Sequence, residues 1–377
     1  MNGVPVARLF GFEIRVHFSW ALILAVIAVT VATQAGRVAP ETSALVRWVI
    51  GAAVAAAFLV SALAHELGHA VAARRAGMPG GPVVVYFFGS AASSRTAATR
   101  PRDEIVTALA GPAVSIILGA LLLIATAIGE VVGSGPVQVT GRIAFLVGGM
   151  NIILGVANLL PAYPLDGGRV ARGVVWMRTG DSRRGVRAAS QIGRWLGISF
   201  GAIGLVLILL VDSIDGLMLA LGGWFLVSSA RAVERSGAID TLLEGLHVED
   251  VMDREVSSVA PGLTVDTFAL QVLDGSSSPS LPVVQGDELV GVIGATQVRR
   301  VKPARWAETR TGDVMVRGDA MPRVAPETTL RTALDELHRT GLDGLPVMEA
   351  GSLAGIVTRK AVAEAIHDRL QTKGAPS

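Results

Sequence analysis

Two histidines stand four residues apart in His65-Glu66-Leu67-Gly68-His69. On a helix that spacing puts both imidazoles on one face, one turn apart, where they can reach a single zinc ion. Glu66 follows the first of them, and a carboxylate there can accept a proton from water acidified by a metal and pass it to a departing amine. The chemistry of such a set is hydrolysis of an amide bond. An accidental polar turn at a helix end is the plain alternative. The pattern lies in an apolar stretch, however, where two imidazoles and a carboxylate are costly to bury unless paired or bound to metal.

A catalytic zinc takes three protein ligands and keeps a fourth position for water. The chain has no cysteine, so thiolate sites, cysteine nucleophiles and disulfides are excluded, and the third ligand must be His or a carboxylate. Asp166 is the candidate. It stands in Asn158-Leu159-Leu160-Pro161-Ala162-Tyr163-Pro164-Leu165-Asp166-Gly167-Gly168, where prolines and glycines interrupt a hydrophobic segment and free backbone near the carboxylate. Read alone, Asp166 fits a helix cap or a turn equally.

The elements that must position these residues are membrane helices. Hydrophobic residues make up 51% of the chain and charged residues 17%, with the apolar excess before about residue 235. Six candidate spans lie near 17–36, 48–72, 104–128, 139–161, 192–211 and 216–231. The expected fold class is a polytopic α-helical membrane domain over 1–235, followed by a smaller α/β domain. Arg8 and Arg15 precede the first span, Arg74, Arg75, Arg95, Arg100 and Arg102 lie between the second and third, and more fall between Arg169 and Arg194. The intervening loops are poorer in Arg, with Arg37, Glu41 and Arg47 in the first, Glu130 in the next and Asp212 and Asp215 in the last, so the positive-inside rule puts both termini in the cytosol of a multi-pass cell-membrane protein. The second span then runs inward with His69 just before Arg74, and the fourth runs inward with Asp166 just before Arg169, so all three ligands fall near the cytosolic side. Residues 18–35 also fit a signal peptide with a small-residue site near Ala35, but five further spans favour a retained helix. A net charge of +2 gives no footprint for nucleic acid.

Between the second and third spans, residues 82–89 are β-branched and aromatic and too short to cross. They read as a strand or re-entrant segment, either buried under the helices or an edge that pairs with an unwound peptide.

After residue 240 the chain repeats itself: Val251-Met252 recurs at Val314-Met315, Leu281-Pro282-Val283-Val284 at Leu345-Pro346-Val347-Met348, and Gly291-Val292-Ile293 at Gly355-Ile356-Val357. The spacing predicts two α/β units, over 245–305 and 308–370, that must pair to cover their apolar faces.

HELGH in an apolar helix followed downstream by N-x-x-P-x-x-P-x-D-G-G resembles the site-2 protease family of intramembrane zinc metalloproteases, the M50 type, over residues 1–235. The resemblance implies His65, His69 and Asp166 as ligands of one catalytic Zn2+, Glu66 as general base, and Asn158 as a catalytic amide that holds substrate or the developing oxyanion. Read from the residue alone, Asn158 fits a helix–helix hydrogen bond. The implied substrate is a single-pass membrane protein, such as an anti-sigma factor or a membrane-tethered transcription regulator, cut in regulated intramembrane proteolysis. Two positions depart from the family: Ser90 replaces the second glycine of a Phe-Gly-Gly strand, and Ser115 stands where an asparagine is frequent. Both are expected to leave the metal site untouched and to bear on the substrate strand.

The repeats resemble a tandem pair of CBS domains, which implies an adenine nucleotide between the copies, commonly held through an Asp three residues after the Thr that ends the second strand. Here Thr358 leads to Ala361, and Gly294 to Gln297. A structural module, or one that forms a homodimer, fits these residues as well as a nucleotide sensor. Two rival functions remain at this level. A channel or transporter gated by CBS domains explains the repeats but not the ligand set, and a silent scaffold is opposed by the presence of all four site residues.

Overall fold

The computed structural model describes residues 3–78, 82–85, 98–132, 136–211, 214–255, 257–273, 280–286, 288–317 and 321–374. The chain divides into two compact units, Met1–Gly237 and Ala238–Ser377.

The first unit opens with a hairpin that the sequence reading missed. β1 (Val4–Leu9) and β2 (Phe12–Val16) are antiparallel around Phe10 and Gly11, both at positive φ (51° and 81°), the geometry of a two-residue hairpin turn. Arg74 holds that turn, donating from Nη1 to the Phe10 carbonyl at 2.6 Å and lying 4.6 Å from the centroid of the Phe12 ring. Within the 82–89 stretch, Val83–Val85 forms β3, parallel to β2 at the edge of a sheet ordered β1-β2-β3. The rest of that stretch (86–89), with Ser90, Ala91, Arg95 and Asp212, lies outside the described residues. Val85 packs with Trp20 and Ala62, so the sheet edge rests against the helix one turn before His65.

Among the described residues, six helices are long and apolar enough to cross a membrane: α1 (Ser19–Val38), α2 (Ala44–Arg75), α3 (Pro101–Val132), α4 (Pro136–Asn158), α6 (Ser182–Val211) and α7 (Ile214–Leu243). Their outward apolar residues, such as Leu209, Leu210 and Ile153, are exposed as a lipid environment demands. Lipid removes the hydrophobic drive between helices, so close approach through small residues matters more. On α3 and α4 a Cβ at Gly119 would stand 2.8 Å from the Gly148 carbonyl, which only glycine accommodates. Asn151 of α4, fully buried, donates to Ser61 Oγ of α2 at 2.9 Å and to the Val147 carbonyl at 2.8 Å.

One helix was read as an Arg-rich loop. α5 (Asp166–Thr179) begins at the candidate ligand and ends on Gly180, whose φ of 72° closes the last turn. Its apolar content is too low for a span; charge pairing to α3 anchors it instead, with Arg169 Nε 3.1 Å from Glu104 Oε1. Residues 182–191, also read as loop, extend α6.

In the second unit each repeat builds the elements its spacing implies. The first copy holds α8 (Val265–Leu273), β4 (Ser280–Gln285), β5 (Glu288–Gly294) and α9 (Ala295–Val298). After α10 (Thr311–Val314), the second holds α11 (Leu330–Thr340), β6 (Gly344–Glu349), β7 (Ser352–Thr358) and α12 (Arg359–Gly374). The hairpins share one register, with a bulge at Val283/Val284 and at Val347/Met348. The copies also exchange their leading segments. His247 and Asp253, ahead of the first copy, bridge to Thr329 and Ile356 of the second, while Arg310 and Val316 bridge to Thr264 and Val292 of the first. Each copy's apolar face is thereby closed by the other's lead-in.

Candidate active site

Asp166 reaches the two histidines because the chain turns sharply after α4. Residues 159–165 reverse direction through short-range bonds, Leu160 N–H to the Ala157 carbonyl at 3.1 Å and Leu165 N–H to the Ala162 carbonyl at 2.9 Å. The first turn of α5 then nests under this reversal. A Cβ on Gly168 would stand 2.6 Å from Tyr163 N, and one on Gly167 would collide with the Leu159 and Leu160 carbonyls, so the double glycine is what lets Asp166 approach α2.

The result is a triangle of polar atoms. His65 Nε2 and His69 Nε2 are 3.2 Å apart, and Asp166 Oδ2 lies 3.1 Å from each. The three residues are 5%, 8% and 9% exposed, which a polar cluster tolerates only when its members satisfy one another or a bound ion.

The set fits a zinc ion. Tetrahedral bonds of about 2.0–2.1 Å put neighbouring donor atoms about 3.3 Å apart, close to the spacing here. A Cβ on Gly111 of α3 would fall against His69 Nε2, 2.6 Å from His69 Cε1 and 2.7 Å from His65 Nε2, so α3 packs directly on both rings and only glycine fits at that position. Both far nitrogens are engaged, His69 Nδ1 with the Thr107 carbonyl at 2.7 Å and His65 Nδ1 with Ser115 Oγ at 2.8 Å. No other group of three or more His, Asp or Glu among the described residues converges this way.

Glu66 is half-buried next to His65 and carries no hydrogen bond or ion pair among the described residues, so its carboxylate is available to a water or a substrate. Asn158 sits at the last residue of α4 and donates from Nδ2 to the Leu154 carbonyl at 2.9 Å; no hydrogen bond joins it to the triangle among the described residues. Ser115 corrects an expectation: the departure from the family pattern does reach the candidate metal site, since its hydroxyl touches His65. Thr107 and Glu104 gave no sequence signal of a role, and Gly111 showed only as the first residue of the Gly111-Pro112-Ala113-Val114-Ser115 run that resembles the family. At the CBS positions, Gln297 accepts from its own Gly294 N–H at 3.1 Å, and Ala361 has no polar side-chain atom to offer a ribose.

The chain is similar to several known proteins. The sequence pattern of peptidase family M50 matches residues 131–200, which include Asn158 and Asp166, and that of the CBS domain matches 248–303 and 312–368. The zinc metalloprotease Rip3 of Mycobacterium tuberculosis is 32% identical over 97% of this chain and 93% of its own length. A Synechocystis zinc metalloprotease, sll0528, is 29% identical over 99% of this chain and 97% of its own. Among solved structures, the site-2 protease from Methanocaldococcus jannaschii is 22% identical, covering 61% of this chain and 94% of that one with a TM-score of 0.38.

Proposed function

We propose that this chain, which belongs to the M50 family of zinc metalloproteases, is an intramembrane endopeptidase that cuts a peptide bond in or near the transmembrane segment of another membrane protein. The observation that carries the reading is the convergence of the ligand atoms of His65, His69 and Asp166 on one point, inside a bundle of membrane helices. These three residues hold the zinc. When bound, the ion supplies a Lewis acid that polarises the scissile carbonyl and acidifies water.

The remaining steps belong to side chains. Glu66 takes the proton of the attacking water and returns it to the leaving amine, the work of a general base turned general acid. Asn158 donates its amide to the developing oxyanion, which requires its Nδ2 to swing away from the Leu154 carbonyl. The substrate must unwind locally, because helical carbonyls are already hydrogen-bonded and shielded. A single-pass protein such as an anti-sigma factor or a membrane-tethered transcription regulator suits this chemistry, which makes the reaction a step of regulated intramembrane proteolysis.

The arginine clusters support cytosolic termini, which put the CBS pair, over 245–305 and 308–370, in the cytosol as a regulatory or dimerising module. The rival of a CBS-gated channel leaves the convergent ligand set without a role. For the central reading, purified protein bearing Glu66→Gln should keep zinc and lose cleavage of a helical reporter; undiminished cleavage would sink the mechanism. For the pair, titration of the full chain with ATP, AMP and S-adenosylmethionine separates a nucleotide sensor, which gives saturable heat, from a purely dimerising module, which gives none.

A further inference from the structure

α3 contributes no ligand to the triangle, yet four of its residues meet the site from one side. Glu104, Thr107, Gly111 and Ser115 follow at intervals of three, four and four along the helix, which places them in one stripe. Glu104, 2% exposed, takes Arg169 Nε at 3.1 Å and has Arg172 Nη1 at 3.8 Å, so it ties down the helix that begins at Asp166. The Thr107 carbonyl accepts from His69 Nδ1, Gly111 clears the space beside both rings, and Ser115 Oγ meets His65 Nδ1.

The two histidines are held differently. A main-chain carbonyl can only accept, so the Thr107 carbonyl fixes the proton of His69 on Nδ1 and leaves the Nε2 lone pair toward the ligand position. Ser115 offers a hydroxyl, which can donate or accept, and it is fully buried, so water does not replace it. If Nε2 of His65 binds zinc, the remaining ring proton sits on Nδ1, and the hydroxyl oxygen of Ser115, 2.8 Å away, is the atom placed to accept it.

We propose that this stripe of α3 is the outer shell of the metal site, and that Ser115 is a positioning residue whose oxygen accepts the Nδ1 proton of His65 and so orients its Nε2 for zinc. The proposal rests on the zinc reading above. It makes a non-ligand helix the setting for metal affinity.

The test measures zinc affinity of the full chain in detergent by competition with a chromophoric chelator, alongside the unfolding midpoint of the metal-free protein. Ser115→Ala should weaken zinc binding about 10- to 100-fold, the usual effect of losing an outer-shell partner, with the metal-free midpoint unchanged. Ser115→Thr or Ser115→Asn, each retaining an acceptor, should recover affinity. Wild-type zinc affinity in Ser115→Ala would overturn the proposal. So would equal weakening in all three variants with a lowered metal-free midpoint, the signature of a packing defect. A wild-type chain that takes up no zinc, or a His65→Ala variant that binds it unchanged, would overturn the zinc reading itself.

Discussion

Gly111→Ala adds one methyl at the point where α3 faces both imidazoles, and its effect can be worked out from distances. The new Cβ would stand 2.7 Å from His65 Nε2 and 2.6 Å from His69 Cε1, where ordinary contact begins at 3.4 Å. Each ring must therefore retreat by about 0.7 Å or more, several times the roughly 0.2 Å that a metal–ligand distance tolerates. Both nitrogens leave the ligand geometry together, because the methyl claims space the rings now occupy. Zinc affinity should fall by more than about 100-fold, beyond the loss of a single outer-shell partner, and cleavage of a helical reporter should fall to background. Folding responds in the other direction: alanine is favoured over glycine inside a helix by up to about 1 kcal/mol, which offsets the swing of two side chains. The metal-free variant should unfold within about 1 kcal/mol of wild type. Zinc by atomic absorption, after equilibration with a chelator series, reads the first quantity, and detergent unfolding reads the second. A Gly111→Ala protein that retains stoichiometric zinc at wild-type affinity would refute the placement of the ion.

Glu66→Gln should lower the cleavage rate by about 10²- to 10⁴-fold, the range for a lost general base, while bound zinc stays at one per chain. Glu104→Gln removes the charge facing Arg169 and Arg172, both 21% exposed; partial solvation of those arginines limits the loss to about 2–3 kcal/mol, read by thermal unfolding with a parallel drop in zinc affinity. Ser61→Ala should cost about 1 kcal/mol in mixed-micelle unfolding because it strands a donor of Asn151, whereas Asn151→Leu, which removes the buried polar group altogether, should be nearly neutral. Leu337→Ala empties a fully buried position of α11 and should destabilise the C-terminal unit by about 2–5 kcal/mol, seen as faster proteolysis of residues 238–377 in the full chain.

The site was legible where side-chain identity carries the chemistry. HELGH declares itself through spacing, and Asp166 through the prolines and glycines around it, because turns of that kind need those residues. The Thr107 carbonyl was illegible, since any residue supplies one there, and Gly111 showed as the start of a family-like run but not as a residue packed on two imidazoles. Ser115 showed only as a departure from a family pattern, and its contact with His65 crosses between two helices whose mutual register no local pattern records. The β1–β2 hairpin escaped notice because its short strands mix Arg and Glu with apolar residues and face mostly outward. α5 was hidden by its arginines, which read as a loop until Glu104 on another helix explained them. In the repeats, periodicity revealed two copies but not that each lends its leading segment to the other.

Hydrolysis consumes one water molecule per bond cut, yet His65, His69 and Asp166 are only 5–9% exposed. Under the proposed reading, solvent is therefore a reagent that must reach a buried site. A site open to solvent bathes in its co-substrate, whereas here turnover would depend on how readily water reaches these three side chains as well as on substrate.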